Sequence, residues 1–401
     1  MMHILAMRRR LVGGWLCALA GINQIPAHAQ ERATGLEVGA LPALNYDSDE
    51  GFGYGALAEL YFYGDGTIEP YRWTLQPEVF LTTEGRRDFT LFLDAPGLLP
   101  HSWRFDVFLG SQKQIAAPYY GIGNDAPFDE SLASEDGPNP YFYRFGRTRQ
   151  SLTVNLQHTL ASASLRVLLG GGAVRTNVIP VPQGEGTTLY AQQASAAESS
   201  EWSNYLRAGL IWDTRDRETG PRRGTWTEAL VQRVDKALGS ESSFTRWTVT
   251  DRRYFPLGAR LVFAHRILLQ GVGDSAPIHE LHRVQTSFKE REGLGGAKTL
   301  RGVLMNRFVG RGLLVWNAEL RWRAADFRLL HRPFHVVLSA FLDQGRVWEG
   351  GPRIEELFSD LHRGYGGGVR LGMGENFVVA VDLGTSEETG LPFYIGLGYL
   401  Y

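Results

Sequence analysis

The sequence predicts an all-β protein, a transmembrane antiparallel β-barrel of sixteen strands. Two observations predict it: apolar and polar side chains alternate in one segment after another, and short links between segments alternate with long ones. A third observation excludes a helical membrane protein, because no stretch of the mature chain approaches the roughly 18 apolar residues of a membrane-spanning helix. In lipid every backbone N–H and C=O must be paired, and a closed barrel pairs them without an exposed edge.

The first 29 residues have the three parts of a secretory signal peptide. Three arginines at 8–10 precede an apolar stretch at 11–20, and Ala27-His28-Ala29 offers a small-x-small cleavage site. We therefore predict a signal peptide at 1–29 and a transmembrane β-barrel at 30–401. The single cysteine, Cys17, lies within the signal, so the predicted mature chain has no disulfide, thiol chemistry or cysteine-based zinc site.

The net charge excludes one further class of protein, and the mean hydropathy alone does not decide the fold class. Taking the three signal arginines from the 41 basic residues leaves 38 against 43 acidic ones, a net charge near −5. We expect no nucleic-acid partner, because such a partner requires a basic surface. The mean hydropathy of −0.19 would suit a soluble exported protein, but the periodicity favours the barrel.

The alternating segments can be followed from Gly35 to the end of the chain. In "SWRFDVFLG" the apolar side chains stand at odd positions from 103 to 109, and Arg104 and Asp106 lie on the other face. Single strands of a soluble sandwich can look like this, so the number of segments decides the fold class. The sixteen segments lie near 35–45, 52–63, 70–82, 87–97, 102–113, 142–158, 163–177, 202–214, 225–235, 243–255, 259–272, 312–324, 334–347, 362–373, 376–385 and 392–401.

The links between segments give an independent check. Links after even-numbered segments are mostly short, as in "GDGTIE", "LLPH", "PLG" and "GE". Links after odd-numbered segments include about 28 residues (114–141), 24 residues (178–201) and 39 residues (273–311). Short periplasmic turns and long outer loops are typical of a bacterial outer-membrane barrel with both termini in the periplasm.

The last segment, "PFYIGLGYLY", has the pattern of a barrel's final strand. The alternation places Tyr399 and Tyr401 on the outer face, where aromatic rings favour the membrane–water interface, and puts Gly396 on the inner face. The segment resembles the C-terminal assembly signal of bacterial outer-membrane barrels, although the usual last residue there is phenylalanine.

Four stretches resemble the BamA/TamA-like superfamily of outer-membrane barrels, also called the bacterial surface antigen family. They are "TLRGVLMNRFVGRG" at 299–312, "YYGIGND" at 119–125, "IWDTRDRETGPRRGTW" at 211–226 and "FLDQGRVW" at 341–348. The resemblance implies that the sixth outer loop folds back into the lumen, where its arginine meets acidic groups of strands 12 and 13. Matched by motif, that loop-to-wall lock consists of Arg301, Gly302, Glu319 and Asp343. Val303 stands where the family usually carries an aromatic residue.

The alternation of strands 12 and 13 agrees with this assignment. The apolar side chains at even positions from 314 to 322 face outward, so Glu319 faces the lumen. On the next strand Leu338 and Leu342 face outward, which turns Asp343 inward. Two carboxylates on neighbouring strands favour a cation between them, and the planar fork of a guanidinium can bind both.

The first and last strands form a candidate lateral seam. The first contains Gly39 and Pro42, and the last contains Gly396 and Gly398. Proline donates no hydrogen bond to a ladder and strand glycines weaken packing, although Pro42 can also sit where its nitrogen is not needed. Because the first strand begins a few residues after the cleavage site, we expect no POTRA domain, the periplasmic module of family members that assemble or secrete proteins.

The resemblance implies a role in outer-membrane assembly or transport, with a separate periplasmic partner. The alternative is a passive pore or structural barrel that has lost this role. We expect contacts with outer-membrane lipids and with the barrel assembly machinery during biogenesis. We expect no enzymatic activity, no cofactor and no metal site. "GDSAP" at 273–277 lacks an ordered acid and base, and His279 with His282 alone does not make a zinc site, so we expect solvated loop residues there.

Overall fold

The computed structural model describes residues 33–401 except 48–50, 101, 134–136, 138, 161–163, 182–186, 195–199 and 375. The signal peptide predicted at 1–29 lies outside the described residues. Within the described part of the chain, no helix is long and apolar enough to cross a membrane.

Sixteen antiparallel wall strands follow one another in a single sheet, as predicted. Strand β8 is interrupted at 203–204, and the pieces before and after the interruption both pair with β7. The strands are β1 (Gly35–Asp47), β2 (Gly51–Gly64), β3 (Trp73–Thr82), β4 (Arg87–Ala95), β5 (Trp103–Pro118), β6 (Arg144–Thr159), β7 (Leu165–Ile179), β8 (Ser200–Trp202 and Tyr205–Asp213), β9 (Gly224–Val234), β10 (Phe244–Pro256), β11 (Leu261–Val272), β12 (Gly312–Leu329), β13 (Arg332–Trp348), β14 (His362–Met373), β15 (Phe377–Thr385) and β16 (Phe393–Leu397).

Each wall strand pairs with the next one in the chain, and its side chains alternate between lipid and lumen. On β5, Arg104 and Asp106 are buried in the lumen, while Trp103 and Leu109 are exposed on the outer face. This alternation is expected of a barrel that presents an apolar band to lipid and a polar interior. The ends of several strands differ from the prediction. β5 continues to Pro118, where Ala117 and Pro118 still pair with Phe145 and Arg144 of β6.

The predicted sixth outer loop, residues 273–311, lies inside the barrel. It begins with a short helix α3 (Ile278–Leu281) and includes a two-residue hairpin that pairs Arg283–Val284 with Arg291–Glu292. Apolar side chains of the loop and the wall share a buried core made of Leu268, Val284, Leu294, Leu300, Val303, Phe308, Leu313, Val315 and Val347. The other helices, α1 (Glu130–Ala133) and α2 (Leu189–Gln193), lie in outer loops.

Polar contacts show that the wall surrounds this loop. Glu280 of the loop pairs with Arg149 of β6 at 3.2 Å, and Lys289 donates to Gln76 of β3 at 2.7 Å. On the far side, Arg301 reaches β13. The loop therefore contacts strands on opposite sides of the lumen.

Candidate functional site

The loop reaches the wall through a tight turn that ends at Arg301. The hydroxyl of Thr299 lies 2.6 Å from the carbonyl oxygen of Gly293 and accepts a hydrogen bond from the N–H of Gly295 at 3.1 Å. Asn317 of β12 then donates to the carbonyl oxygen of Thr299 at 2.8 Å. Both ends of the turn are thereby fixed, and the next side chain points at the wall.

The guanidinium of Arg301 binds the two carboxylates that the sequence predicts for it. Its Nε lies 2.7 Å from Asp343 Oδ2 and its Nη2 lies 3.0 Å from Asp343 Oδ1, a bidentate pair. Its Nη1 lies 3.4 Å from Glu319. The guanidinium also stacks 3.5 Å above the ring of Phe341. Arg301, Asp343 and Glu319 are all buried, so bulk water screens these contacts little.

A third carboxylate, Asp382 of β15, belongs to the same cluster and was not predicted. It lies 3.3 Å from Nη1 of Arg301. Arg370 of β14 binds Asp382 at 2.7 Å and approaches Glu319 at 3.6 Å. The alternation of β15 already places Asp382 in the lumen, so its inward orientation could be predicted from the sequence. The pairing was not, because it depends on how far the loop reaches across the barrel.

The charges of this cluster balance. Arg321 binds Glu319 at 3.1 Å, so together with Arg301 and Arg370 three guanidinium groups face three carboxylates. Burial alone would lower the pKa of Arg301. The carboxylate of Asp343 and its acidic neighbours outweigh burial and raise that pKa above its usual range. Arg301 is therefore a permanent cation that holds the loop on the wall.

Gly302 lets the loop backbone lie directly on the wall. Its φ of +90° belongs to the left-handed region, and a Cβ added there would lie 2.5 Å from the carbonyl oxygen of Thr385. Its N–H donates to the hydroxyl of Tyr394 at 3.0 Å, and its carbonyl oxygen accepts from the hydroxyl of Thr389. The loop therefore contacts β16 and the loop before it, as well as β12, β13 and β15.

The predicted outward position of Tyr399 and Tyr401 is wrong. Strand β16 ends at Leu397, and Gly398, with a φ of +77°, turns the chain into the lumen. The ring of Tyr399 lies 4.7 Å from the guanidinium of Arg321. Tyr401 is buried and donates to the carbonyl oxygen of Ala264 on β11 at 3.0 Å. Gly396 stays in the wall, where a Cβ would lie 3.7 Å from the Nζ of Lys298.

The chain turns into the lumen after β16, and we call residues 399–401 the inward tail. The two edge strands, β1 and β16, therefore differ in length. β1 has 13 residues and pairs with β2 along its whole length, with Pro42 opposite Ala56. β16 has five residues, and no ladder in the described residues joins it to β1. Near the end of the barrel that carries the short turns, Gly39 instead lies against the ring of Phe377 on β15, so closely that a Cβ would collide with it. Gly39 and Pro42 thus lie on one edge strand and Gly396 on the other, and a lateral seam between these strands stays a prediction.

The histidines of the loop are buried and not solvated as predicted. Helix α3 lies in the lumen, where both ring nitrogens of His279 find no hydrogen-bond partner among the described residues. The ring of His282 stacks on Phe145 at 5.5 Å. The described residues contain no group of three or more histidine, cysteine or acidic side chains that could hold a metal ion.

Comparisons with known proteins agree with this geometry. A search of curated proteins found no match. The structure of BamA from Haemophilus ducreyi lacking POTRA domains 1–3 is similar, with a TM-score of 0.53 and 13% identity, covering 91% of this chain and 69% of that one. CdiB from Escherichia coli is similar with a TM-score of 0.54 and 14% identity, covering 91% of this chain and 62% of that one. The chain thus spans less than two thirds of CdiB, and at these identities both likenesses concern the fold alone. The Omp85 superfamily domain matches residues 80–398, most of the chain. That match confirms the family resemblance, and the chain belongs to the Omp85 superfamily.

Proposed function

We propose that this barrel inserts proteins into the outer membrane or moves them across it, together with a separate periplasmic partner. The observation that carries the proposal is the buried lock between Arg301 and the carboxylates of Asp343, Glu319 and Asp382 in a member of the Omp85 superfamily. The proposed role is a physical one: moving or inserting a chain without covalent catalysis.

The lock supports the proposal because it attaches the loop to the strands on one side of the proposed seam. It ties the loop to β12, β13 and β15, and Gly302 adds a contact to β16 through Tyr394. Strands on one side of the seam are thereby fixed to a rigid loop. β1, on the other side, has its ladder with β2. Movement of the wall would concentrate at the seam between β1 and β16, and Gly39, Pro42, Gly396 and Gly398 are its proposed weak points.

The membrane setting follows from the family and from the surface. Members of this family are barrels of the bacterial outer membrane, and large apolar side chains are exposed on the outer face of the strands. We propose that both ends of the barrel chain face the periplasm, because the short turns lie on their side of the wall. We also propose a separate periplasmic partner that delivers the client to the barrel.

The alternative is a passive pore. The loop packs against the wall through a continuous apolar core, and this packing weighs against a permanently open lumen. A pore would need the loop to leave, and the lock opposes that movement.

The test is client folding in liposomes that contain the purified barrel, with and without a periplasmic extract. Wild type is compared with Arg301→Ala. Arg233→Ala is the matched control, because Arg233 is a rim arginine that is half exposed and pairs with Asp235. We expect faster insertion of a test barrel with wild type and the control, and loss of that gain in Arg301→Ala. No acceleration with the extract, together with steady ion conductance, would contradict the proposal and favour the pore.

A further inference from the structure

The outer face of the barrel carries an apolar groove between β6 and β7. Its volume is about 520 Å³, within the range of roughly 300–1,000 Å³ that small-molecule clefts occupy. The groove is lined by Leu152, Val154, Leu156, Leu169, Gly170, Gly171, Gly172 and Ala173. None of these lining residues carries a charge. The part of a ligand that lies in the groove must therefore be apolar.

Packing on the lumen side explains the glycine run that forms the floor of the groove. A Cβ on Gly170 would collide with Asn155, and a Cβ on Gly172 would lie 2.5 Å from the ring of Tyr205. Between them, Gly171 faces outward and leaves the floor low. The glycine run itself is paired with β8 from Tyr205 to Arg207, and the interruption of β8 lies opposite Ala173 and Val174.

The walls of the groove stand well above its floor. Leu152, Val154 and Leu156 of β6 and Leu169 of β7 are between 38% and 60% exposed. A flat barrel wall of a second copy would rest on these side chains and would not reach Gly171. A thin flexible hydrocarbon chain can lie between them, and this shape favours a lipid over a protein.

A cation lies directly above the groove on the same face. Arg175 follows Ala173 by two residues on β7, so both point outward, and its neighbour across the ladder is Gln150. Arg175 is exposed, and its guanidinium lies 5.6 Å from the ring of Trp202. An aromatic ring beside an arginine at the end of an apolar face is typical of the level of lipid headgroups.

We propose that this groove binds one acyl chain of an anionic membrane lipid, whose phosphate is held by Arg175. Among the described residues Arg175 forms no ion pair, so a phosphate can supply its negative partner. A guanidinium binds phosphate oxygens through its planar fork. The site lies at the end of the wall that carries the long loops. It is separate from both the loop lock and the seam.

The test uses nanodiscs of phosphatidylglycerol or phosphatidylcholine with identical acyl chains, followed by native mass spectrometry of the released barrel. Wild type should retain one phosphatidylglycerol molecule more than Ala173→Trp, whose indole fills the groove. Ala340→Trp is the matched control, because Ala340 is also exposed on the outer face of β13. Arg175→Gln should reduce the preference for phosphatidylglycerol by about tenfold, the effect of losing one hydrogen bond to a charged group.

Three outcomes would overturn the proposal. The first is equal retention by Ala173→Trp and Ala340→Trp. The second is an unchanged lipid preference in Arg175→Gln. The third is a dimer of wild type, in either lipid, that Ala173→Trp abolishes without changing lipid retention, because the groove would then be an interface between two copies. A thermal melt of each variant separates these results from misfolding, since all three substitutions lie on the outer surface.

Discussion

Replacing Arg301 by alanine tests whether one side chain holds the loop in the lumen. The substitution removes the contacts to Asp343 at 2.7 and 3.0 Å and those to Glu319 and Asp382 at 3.4 and 3.3 Å. Glu319 and Asp382 keep Arg370 as a partner. Within the described part of the chain, Asp343 keeps only the backbone N–H of residue 301, at 3.1 Å. The loss therefore falls mainly on one buried carboxylate.

Removing one partner of a buried ion pair costs about 3–5 kcal/mol. Because Asp343 retains one hydrogen bond and its neighbours retain guanidinium partners, we expect the lower end, about 3 kcal/mol. Each 1.36 kcal/mol changes an equilibrium about tenfold, so the fraction of released loop should rise by roughly 150-fold. The assay is amide hydrogen exchange of residues 273–311 in the purified barrel, where a faster rate reports release of the loop.

Two further variants make the result decisive. Arg233→Ala should change exchange in the loop very little, because exposed pairs contribute about 0–1 kcal/mol. Adding Asp343→Asn to Arg301→Ala should restore part of the protection, since the amide leaves no uncompensated charge in the lumen. If loop exchange in Arg301→Ala matches that in Arg233→Ala, the guanidinium does not hold the loop and the reasoning is refuted.

Three other predictions concern the neighbouring elements. Gly302→Ala should destabilise the docked loop by about 1–3 kcal/mol, because the φ of +90° and the nearby Thr385 carbonyl oxygen exclude a side chain; unchanged loop proteolysis would contradict this. Deleting residues 399–401 should block assembly into the membrane, and a normal yield of barrel in the outer-membrane fraction would argue against a signal there. Burial lowers the pKa of His279 from 6.5 to about 4, so the released loop takes up a proton between these pH values and the docked loop does not. Docking should therefore weaken as pH falls from 6.5 toward 4, and His279→Gln should show a flatter pH profile of loop exchange than wild type.

The strands of the barrel wall could be predicted from the sequence because the alternation of side chains depends only on neighbouring residues. Each strand places alternate side chains in lipid and in the lumen, and this alternation located all sixteen strands. The end of β16 could not be read in this way. Gly398 has no side chain to reveal a face, and its turn is stabilised by contacts of Tyr401 with β11, far away in sequence.

The residues of the candidate site also differ in whether the sequence alone could predict them. Glu319 and Asp343 follow from strand alternation together with a family motif, whereas Asp382 and Arg370 enter through tertiary contacts of the docked loop. His279 illustrates the limit most clearly, because a histidine in a long outer loop is ordinarily solvated. Only the inward path of the loop buries it.

The lock and the inward tail share a side chain, and this makes a final prediction possible. Arg321 binds Glu319 at 3.1 Å and also donates to the carbonyl oxygen of Tyr401 at 3.1 Å. Glu319 in turn contacts Arg301. A continuous chain of polar contacts thus joins the loop to the residues that leave the wall at the seam.

Such a connection should couple the two elements in both directions. If the tail leaves the lumen, Arg321 loses a partner and its contact with Glu319 is free to change. Removing the tail by proteolysis of the assembled, purified barrel should then alter hydrogen exchange of the loop. Because coupling between two docking equilibria acts in both directions, Arg301→Ala should also increase protease access to the tail. Arg321→Gln should remove both effects, since it breaks the shared contact. Equal tail accessibility in wild type and Arg301→Ala would mean that the loop lock and the seam move independently, even though their side chains touch.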